Sequence, residues 1–598
     1  MSERDIDWRD FLPMSRVEAA ERNWMEIDIL LITGDAYVDH PSFGAAIIAR
    51  VLESAGHRVG IISQPRWTHS EDFLLFGRPR LFVGITAGNM DSMLNIYTVA
   101  KKPRSEDDYS PNGWQGRRPK RATTVYANKV REVLPGVPIV IGGIEASLRR
   151  LAHYDYWDHK VRPSILVDSQ ADVLVYGMGE QAVCEIANAL ATGTAVDQLH
   201  DVHGTAVLRD RPEAAYGAAT LPSYEQVARD TGQFLTAFQM AYNEQDPEHA
   251  RALIQQTGDK YVVVNPPPVP PTTDALDEIY SLPYTRRAHP SMGNVPALQP
   301  VRFSICTHRG CLGECSFCAL AAHQGRIIQS RSMASIVEEA HHIVRHPDFK
   351  GAISDVGGPT ANMYEMVCRE GRFRCPDRHC LLPTPCKNLD CSHEGVLEVL
   401  RVLRGMPEIN KVFVSSGIRF DLVLADPESH YLQELCEHHV SGLLKVAPEH
   451  VVDHVLDAMN KPRFEVYQEF CQKFRAVNKA LGKEQYLVSY WMSGHPGCDV
   501  PDMVALAEHF RDRGIHPEQV QDFYPAPMTP AACMFHTGRN PLTGEEVYAP
   551  RSVREKSMQR ALLQYWLPEN RAMVATALTK HGRRDLAGPG PKKLIRHL

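Results

Sequence analysis

Three cysteines stand close together near the middle of the chain, in the stretch CLGECSFC over residues 311–318. The thiolates of Cys311, Cys315 and Cys318 could bind three irons of a 4Fe–4S cube and leave the fourth iron without a protein ligand. That iron could bind the amino and carboxylate groups of S-adenosylmethionine, and an electron from the cluster could break the sulfonium. A structural zinc ion is the alternative, but it usually takes four ligands in two separated pairs.

The cysteines need a rigid edge to hold them. The apolar run at residues 301–306 predicts a strand directly before the loop, and active sites of parallel barrels lie at the carboxyl ends of their strands. Five later runs end in Gly-, Pro- and polar-rich loops: 351–356, 411–415, 442–446, 486–490 and 520–523. Six strands are too few to close an eight-stranded barrel. We therefore expect a partial (βα)6 barrel with a lateral opening for a large substrate.

The loop, with Arg309-Gly310 before it and the stretch HQGR at 323–326 after it, resembles the YgiQ family of radical SAM proteins. The resemblance runs over nearly the whole chain, from Phe11 to Gly588. It implies a cobalamin-binding-like domain followed by a radical SAM core, with a 4Fe–4S cluster and S-adenosylmethionine as cofactors. It brings no established substrate with it.

The resemblance also implies cofactor-binding residues. Radical SAM enzymes place a glycine pair after the second strand, here Gly357 and Gly358, where backbone groups pair with the methionine amino group. The third residue of that pattern is usually acidic and is Pro359 here, so only the backbone role carries over. Phe317, just before the last cysteine, and Glu449, placed like a cofactor contact of methylthiotransferase-type barrels, complete this set.

Arg419 and Asp421 form a further candidate pair after the third barrel strand. Two residues apart on an extended segment, they would point to the same side. We interpret Arg419 as a cofactor-binding residue, with a simple salt bridge as the alternative.

The first third of the chain alternates strands with helices, which predicts a doubly wound parallel sheet. The predicted strands are 27–33, 59–62, 81–85, 139–141 and 173–176. Ligands of such sheets bind outside the carboxyl ends of the strands, where glycines could let a large flat ligand approach. The cobalt-binding pattern Asp-x-His-x-x-Gly is not reproduced, since Asp39 and His40 are adjacent. His40 stays a candidate ligand, but a cobalamin-like fold without the cofactor is favoured.

A second group of cysteines lies in an insertion at residues 368–393. The segment has no apolar periodicity, so a metal could supply its folding energy. The expected ligands are Cys375, Cys380, Cys386 and Cys391, for zinc or an auxiliary Fe–S cluster. Reduced thiols in an ordered loop are the alternative.

Four regions are predicted: a cobalamin-binding-like α/β domain at 1–194, a bridging segment with a proline-rich strap at 195–299, the barrel at 300–551, and a helical and basic extension at 552–598. Residues 100–124 insert basic and aromatic side chains into the first region. Such a mixture can bind single-stranded nucleic acid, but acidic residues within it favour a solvated loop.

A net charge of −7 gives no general attraction to nucleic acid or membrane, and no apolar run of 18 residues predicts a membrane span. Fourteen cysteines in short-spaced clusters favour a reducing cytosol. We therefore predict a cytoplasmic radical SAM enzyme with flavodoxin or ferredoxin as reductant and an unknown substrate. The alternatives are a cobalamin-dependent methyl- or methylthio-transferase acting on RNA or protein, and a non-catalytic metal-dependent binding or redox-sensing protein.

Overall fold

The computed structural model describes residues 8–213, 217–371, 375, 379–518 and 520–597. The chain forms two compact units. The first comprises Met1–Ser304, Ala322–Gly325 and Arg331–Arg345, and the second comprises Ile305–Ala321, Arg326–Ser330 and His346–Leu598. Among the described residues, no helix is both long enough and apolar enough to span a membrane.

The first unit is built on a nine-stranded sheet in the order β10-β11-β12-β9-β8-β5-β4-β1-β3. Strands β3, β1, β4, β5 and β8 are parallel, whereas β9, β12 and β11 continue the sheet in antiparallel pairs. The strands of this unit are Ile29–Thr33 (β1), Val38–Asp39 (β2), Val59–Ser63 (β3), Phe82–Thr86 (β4), Ile139–Gly142 (β5), His153–Asp155 (β6), Lys160–Arg162 (β7), Val173–Val175 (β8), Thr205–Arg209 (β9), Ala218–Thr220 (β10), Ala252–Thr257 (β11), Lys260–Val264 (β12) and Arg287–Ala288 (β13).

The parallel half of this sheet confirms the predicted α/β class. Its strands are almost wholly buried, as expected where helices cover both faces. The α-helices of the first unit are Arg16–Glu21, Gly44–Ser54, Ser70–Phe73, Ser92–Ile96, Ala122–Val133, Gly143–Ser147, Ile165–Ser169, Glu180–Ala191, Tyr224–Arg229, Thr231–Asn243, Thr273–Ser281 and Met333–Val344.

The second unit contains the short strands predicted for the partial barrel. They are Ser304–Cys306 (β14), His308–Arg309 (β15), Gln329–Ser330 (β16), Ala352–Ile353 (β17), Asp355–Gly357 (β18), Lys411–Val412 (β19), Leu443–Glu449 (β20), Tyr486–Ser493 (β21) and Val520–Asp522 (β22). Strand β14 neighbours β18, β17 pairs in parallel with β19, and β20, β21 and β22 form a parallel sheet. A parallel bridge from Ile418 to Val446 connects the segment after β19 to β20.

Helices follow these strands in the second unit. They are Glu394–Arg404, Phe420–Ala425, Tyr431–Glu434, Asp453–Met459, Phe464–Leu481, Val500–Arg513, Pro530–Thr537, Val553–Leu563 and Arg571–Lys580, and Leu320–Gln324 lies where the two units alternate along the chain. The basic tail is anchored, because Arg583 forms a 3.0 Å ion pair with Glu508 of helix Val500–Arg513.

Candidate metal centre

The loop after β15 brings the three predicted cluster cysteines together. The Gly313 N–H donates to the Cys311 Sγ at 3.4 Å, and the Cys318 N–H donates to the Cys315 carbonyl at 3.0 Å. A Cβ on Gly313 would lie 3.3 Å from the Cys311 Sγ and 3.9 Å from the Cys315 Sγ. Gly313 therefore leaves space between two thiols that point to the same side of the loop.

The electrostatics of the loop suit a cationic cluster. Burial raises the pKa of Cys311, and it raises the pKa of Cys318 to about 12, with the neighbouring Cys315 thiol adding to both shifts. Buried thiols become thiolates when a metal supplies the opposing charge. Among the described residues, no group of three or more His, Cys, Asp or Glu side chains is arranged to hold a metal ion. The chemical type of the donors, three thiols on one short loop, is the type that binds three irons of a cube, one thiolate to each iron.

Two hydrogen bonds attach this loop to the end of helix Asp453–Met459. The Ser316 N–H donates to the Met459 carbonyl at 2.9 Å, and the Asn460 Nδ2 donates to the Glu314 carbonyl at 2.8 Å. The loop is therefore held in place by hydrogen bonds from within the barrel unit.

Arg419 lies beside the cluster loop. Its Nη1 is 3.8 Å from the Cys315 Sγ, while Nε and Nη2 donate to both carboxylate oxygens of Asp421 at 2.8 and 2.5 Å. The two side chains do point to the same side, but not along an extended segment. Arg419 is the N-cap residue of helix Phe420–Ala425, and Asp421 lies in the first turn of that helix. Burial opposes the charge of the guanidinium, and the Asp421 carboxylate outweighs burial and raises the pKa of Arg419.

A polar network that the sequence did not reveal holds Arg419. Asn362 accepts from the Arg419 N–H at 2.8 Å and donates to the Arg419 carbonyl at 3.1 Å. The Asn362 Nδ2 also lies 3.1 Å from the His393 Nε2, and the His393 Nδ1 lies 2.8 Å from Asp426. His393, the last residue of the cysteine insertion, thus belongs to the scaffold of Arg419.

The glycine pair at the end of β18 is required by close packing. A Cβ on Gly358 would lie 2.6 Å from the His308 ring and 2.7 Å from its carbonyl oxygen, and one on Gly357 would lie 2.9 Å from the Ala361 Cα. The Thr307 N–H donates to the Gly357 carbonyl at 2.8 Å. Only glycine lets this loop approach the strand that leads into the cysteines.

Glu449 ends β20 as a buried carboxylate. Among the described residues its Oε2 has no hydrogen-bond partner, and its Oε1 lies 4.0 Å from the Lys461 Nζ. Its φ of 67° is in the left-handed region, which an L-residue adopts at a cost that is typical of functional sites. Burial raises the pKa of Glu449, and Lys461 opposes that shift. An unpaired buried acceptor of this kind fits a ligand that donates hydrogen bonds.

Phe317 is half-buried and packs edge-to-face on the His495 ring, with centroids 5.8 Å apart. His495 is fully buried after β21, and its Nε2 lies 3.1 Å from the Ser316 Oγ. Phe317 therefore packs the cysteine loop against the segment that follows β21.

The cysteine insertion shares a core with the cluster loop, contrary to the expectation of little core. Leu381 and Leu389 are buried with Leu312, and Cys311, Cys380, Cys386 and Cys391 pack against the same apolar cluster. A cavity of about 320 Å³ adjoins this cluster. Its cysteine lining is Cys368, Cys375, Cys380 and Cys386. Burial, with nearby Glu314 and the other three thiols, raises the pKa of Cys380 to about 11.

Cys391 packs on the same apolar cluster but is not one of the described residues that line the cavity. Its thiol donates to the Leu389 carbonyl at 3.8 Å.

In the first unit, His40 does not fit the role of a cobalt ligand. The ring is fully buried; its Nδ1 accepts from the Ser42 N–H at 3.0 Å, and its Nε2 lies 3.2 Å from the Arg302 carbonyl and 3.1 Å from the Arg286 Nη1. Arg286, from the segment before the barrel, also pairs with buried Glu339. Both ring nitrogens are thus engaged in polar contacts within this unit.

The glycines at the carboxyl edge of the first sheet are also explained by packing. A Cβ on Gly34 would lie 2.4 Å from the Ala87 carbonyl oxygen, and one on Gly143 would lie 2.4 Å from the Thr86 Oγ1. These loops therefore approach one another, and their glycines give no evidence for a cofactor cradle.

The basic insertion contributes mainly internal contacts. Arg118 is buried between Asp35 at 2.8 Å and Asp107 at 3.3 Å, and the Lys101 Nζ donates to the Tyr156 and Trp157 carbonyls at 3.0 Å. These contacts favour a structural loop over a nucleic-acid surface.

The solved structures to which this chain shows similarity include the radical SAM methyltransferase TsrM from Kitasatospora setae. One was solved with tryptophan substrate and an S-adenosylmethionine analogue, and another with cobalamin and a [4Fe-4S] cluster. Both share 15% identity with this chain at a TM-score of 0.46, over 84% of this chain and 74% and 76% of theirs. The expectation that this chain does not hold cobalamin has no support among the comparisons and stays a prediction.

Sequence comparisons identify the family. Residues 11–304 match the family model described as Radical SAM N-terminal, and residues 518–598 match a domain of unknown function (DUF3362). A UPF0313 protein of Clostridium perfringens is 51% identical over 98% of this chain and 89% of its own length. UPF0313 proteins of Methanosarcina acetivorans and Methanocella arvoryzae are 50% identical over 98% of this chain and over 82% and 98% of theirs. The chain therefore belongs to the UPF0313 family, the YgiQ-like family of radical SAM proteins that its cysteine loop resembles.

Proposed function

We propose that this protein is an enzyme in which Cys311, Cys315 and Cys318 hold a 4Fe–4S cluster that cleaves S-adenosylmethionine reductively. The cleavage starts radical chemistry on a substrate that remains to be identified. The observation that carries the proposal is the loop itself. Three half-buried thiols lie on it, directly after β15 and beside Arg419.

The residues around the loop have separable roles in this proposal. The cluster, when bound, supplies one electron that breaks a carbon–sulfur bond of S-adenosylmethionine. Arg419 places a fixed positive charge against the Cys315 sulfur, where it stabilises thiolate. Gly358, which is half-buried, would pair through its backbone with the methionine end beside Gly357, and Glu449 offers an unpaired carboxylate oxygen to a donor on the cofactor. A pre-formed site of this kind reduces the ordering that binding must overcome.

The test is product formation by protein that has been purified and reconstituted anaerobically. With dithionite and S-adenosylmethionine, we expect wild type to form 5′-deoxyadenosine and Cys315→Ala to form none. Cys471→Ala is the matched control, because this cysteine lies in helix Phe464–Leu481, away from the loop, and its loss should leave the yield unchanged.

Wild-type protein that carries its cluster but forms no 5′-deoxyadenosine, with or without cell extract as a source of substrate, contradicts the proposal. That outcome supports the non-catalytic alternative. Cobalt measured in the same preparation separates a cobalamin-dependent transferase from an enzyme that needs only the cluster and S-adenosylmethionine.

A further inference from the structure

The cavity beside the cluster loop carries an inference that does not depend on the proposed reaction. Four cysteines line its wall, from a segment that contributes no residue to the first cluster: Cys368, Cys375, Cys380 and Cys386. The remaining lining includes Leu312 and Ile328 from around the cluster loop. Thiols gathered in one cavity of about 320 Å³ are the donor set that iron–sulfur clusters use.

Backbone hydrogen bonds hold three of these cysteines in place. The strand-like stretch around Cys368 is paired with the stretch around Leu389 by bonds from Arg369 N–H to the Asn388 carbonyl at 2.8 Å and from Asp390 N–H to the Val367 carbonyl at 2.9 Å. The Cys386 N–H donates to the Cys380 carbonyl at 2.8 Å. Residues that are far apart in sequence thus meet at the cavity because the backbone fold brings them there.

The cavity is also connected directly to the first cluster loop. Glu314, between Cys311 and Cys315, accepts from the His379 Nδ1 at 2.8 Å and from the Arg326 Nη1 at 2.5 Å. Both of these partners line the cavity, and Glu314 is buried. One carboxylate therefore bridges the loop of the first cluster and the wall of the cavity.

We propose that Cys368, Cys375, Cys380 and Cys386 bind a second iron–sulfur cluster in this cavity. Four thiols surround a cavity of about 320 Å³, which leaves room for a cluster between them. A four-cysteine zinc site uses the same donors, and the metal content of the purified protein separates the two. A cube spreads four thiolates over four irons. The ligand set differs from the one predicted from spacing, because Cys368 replaces Cys391.

The experiment counts iron, acid-labile sulfide and zinc in full-length protein that was produced and purified anaerobically. We expect about eight irons and eight sulfides per chain in wild type, because each Cys-bound cube holds four of each. The triple variant Cys368→Ala/Cys380→Ala/Cys386→Ala should keep about four, and so should Cys311→Ala/Cys315→Ala/Cys318→Ala. Cys391→Ala is the matched control from the same segment and should keep about eight.

The outcomes separate this inference from the proposed function. The variant without the first three cysteines should lose 5′-deoxyadenosine formation and still hold a cluster, which shows in its iron content and visible absorption. Three results would each overturn the inference. They are about four irons in wild type, zinc in place of iron in the variant without the first three cysteines, and a loss of iron from Cys391→Ala as large as that from the second-site triple variant. Wild type and the first-loop variant both keep the second site intact, so their iron contents test the inference even if the second-site variant misfolds.

Discussion

The buried pair of Arg419 and Asp421 offers a quantitative test of how the cluster loop is supported. The two side chains are 9% and 4% exposed and share two hydrogen bonds. Asp421→Asn removes the negative partner and leaves a buried guanidinium charge without its counter-ion. Breaking a buried pair in this way costs about 3–5 kcal/mol.

Hydrogen exchange measures that cost locally, which suits a chain of two units whose global unfolding need not be two-state. At about 1.4 kcal/mol per tenfold change, amides of helix Phe420–Ala425 in the apo protein should exchange about 100 to 4,000 times faster in Asp421→Asn. Removing both charges with Arg419→Met/Asp421→Asn should accelerate exchange less than either single change, because no unpaired charge remains.

An exposed ion pair in the same unit gives the control. Arg463 and Asp457 lie 3.3 Å apart with 59% and 53% exposure, so Asp457→Asn should cost under about 1 kcal/mol and accelerate exchange in helix Asp453–Met459 less than about fivefold. If the double variant accelerates exchange by the product of the two single effects, the two charges are not coupled and the reasoning is refuted.

Three further predictions concern single side chains. Gly358→Ala pushes a Cβ to 2.6 Å from His308 and should cost about 1–3 kcal/mol with loss of S-adenosylmethionine cleavage, whereas Gly417→Ala, with its nearest neighbour at 3.8 Å, should leave the melting temperature and cleavage unchanged. Because burial raises the pKa of Glu449 above its ordinary value of 4.5, the folded protein loses stability as the pH rises through that raised pKa. Apo Glu449→Gln should therefore have a higher melting temperature than wild type at pH 8 and the same melting temperature as wild type below pH 4.5. A melting temperature equal to that of wild type at both pH values would contradict this. In the first unit, Gly88→Ala would place a Cβ 2.1 Å from Asp35 at a φ of 109° and should lower the urea midpoint strongly, while Gly44→Ala, with open space around it, should not.

Short apolar runs made the strands predictable, because buried parallel strands expose almost no polar face. Strands β1, β3, β4, β5 and β8 lie where the sequence indicated. The antiparallel strands β9 and β12 were missed within the region predicted as a bridge, although their apolar runs, TAVLR and KYVVV, carried a usable signal.

The surroundings of the cluster loop were less accessible to sequence reasoning. Asn362 is one polar residue in a loop, and its role depends on facing the Arg419 backbone across the barrel unit. Spacing also suggested Cys391 for the second site, whereas pairing of the stretches around Cys368 and Leu389 brings Cys368 to the cavity. Contacts of this kind are set by tertiary packing, which local pattern does not encode.

The most direct test of the central claim is the electron paramagnetic resonance spectrum of anaerobic, dithionite-reduced protein with and without S-adenosylmethionine. If Cys311, Cys315 and Cys318 leave one iron open, the spectrum of the reduced cluster should change when S-adenosylmethionine is added, and Cys315→Ala should abolish that change. A reduced cluster whose spectrum is identical with and without S-adenosylmethionine would contradict the account.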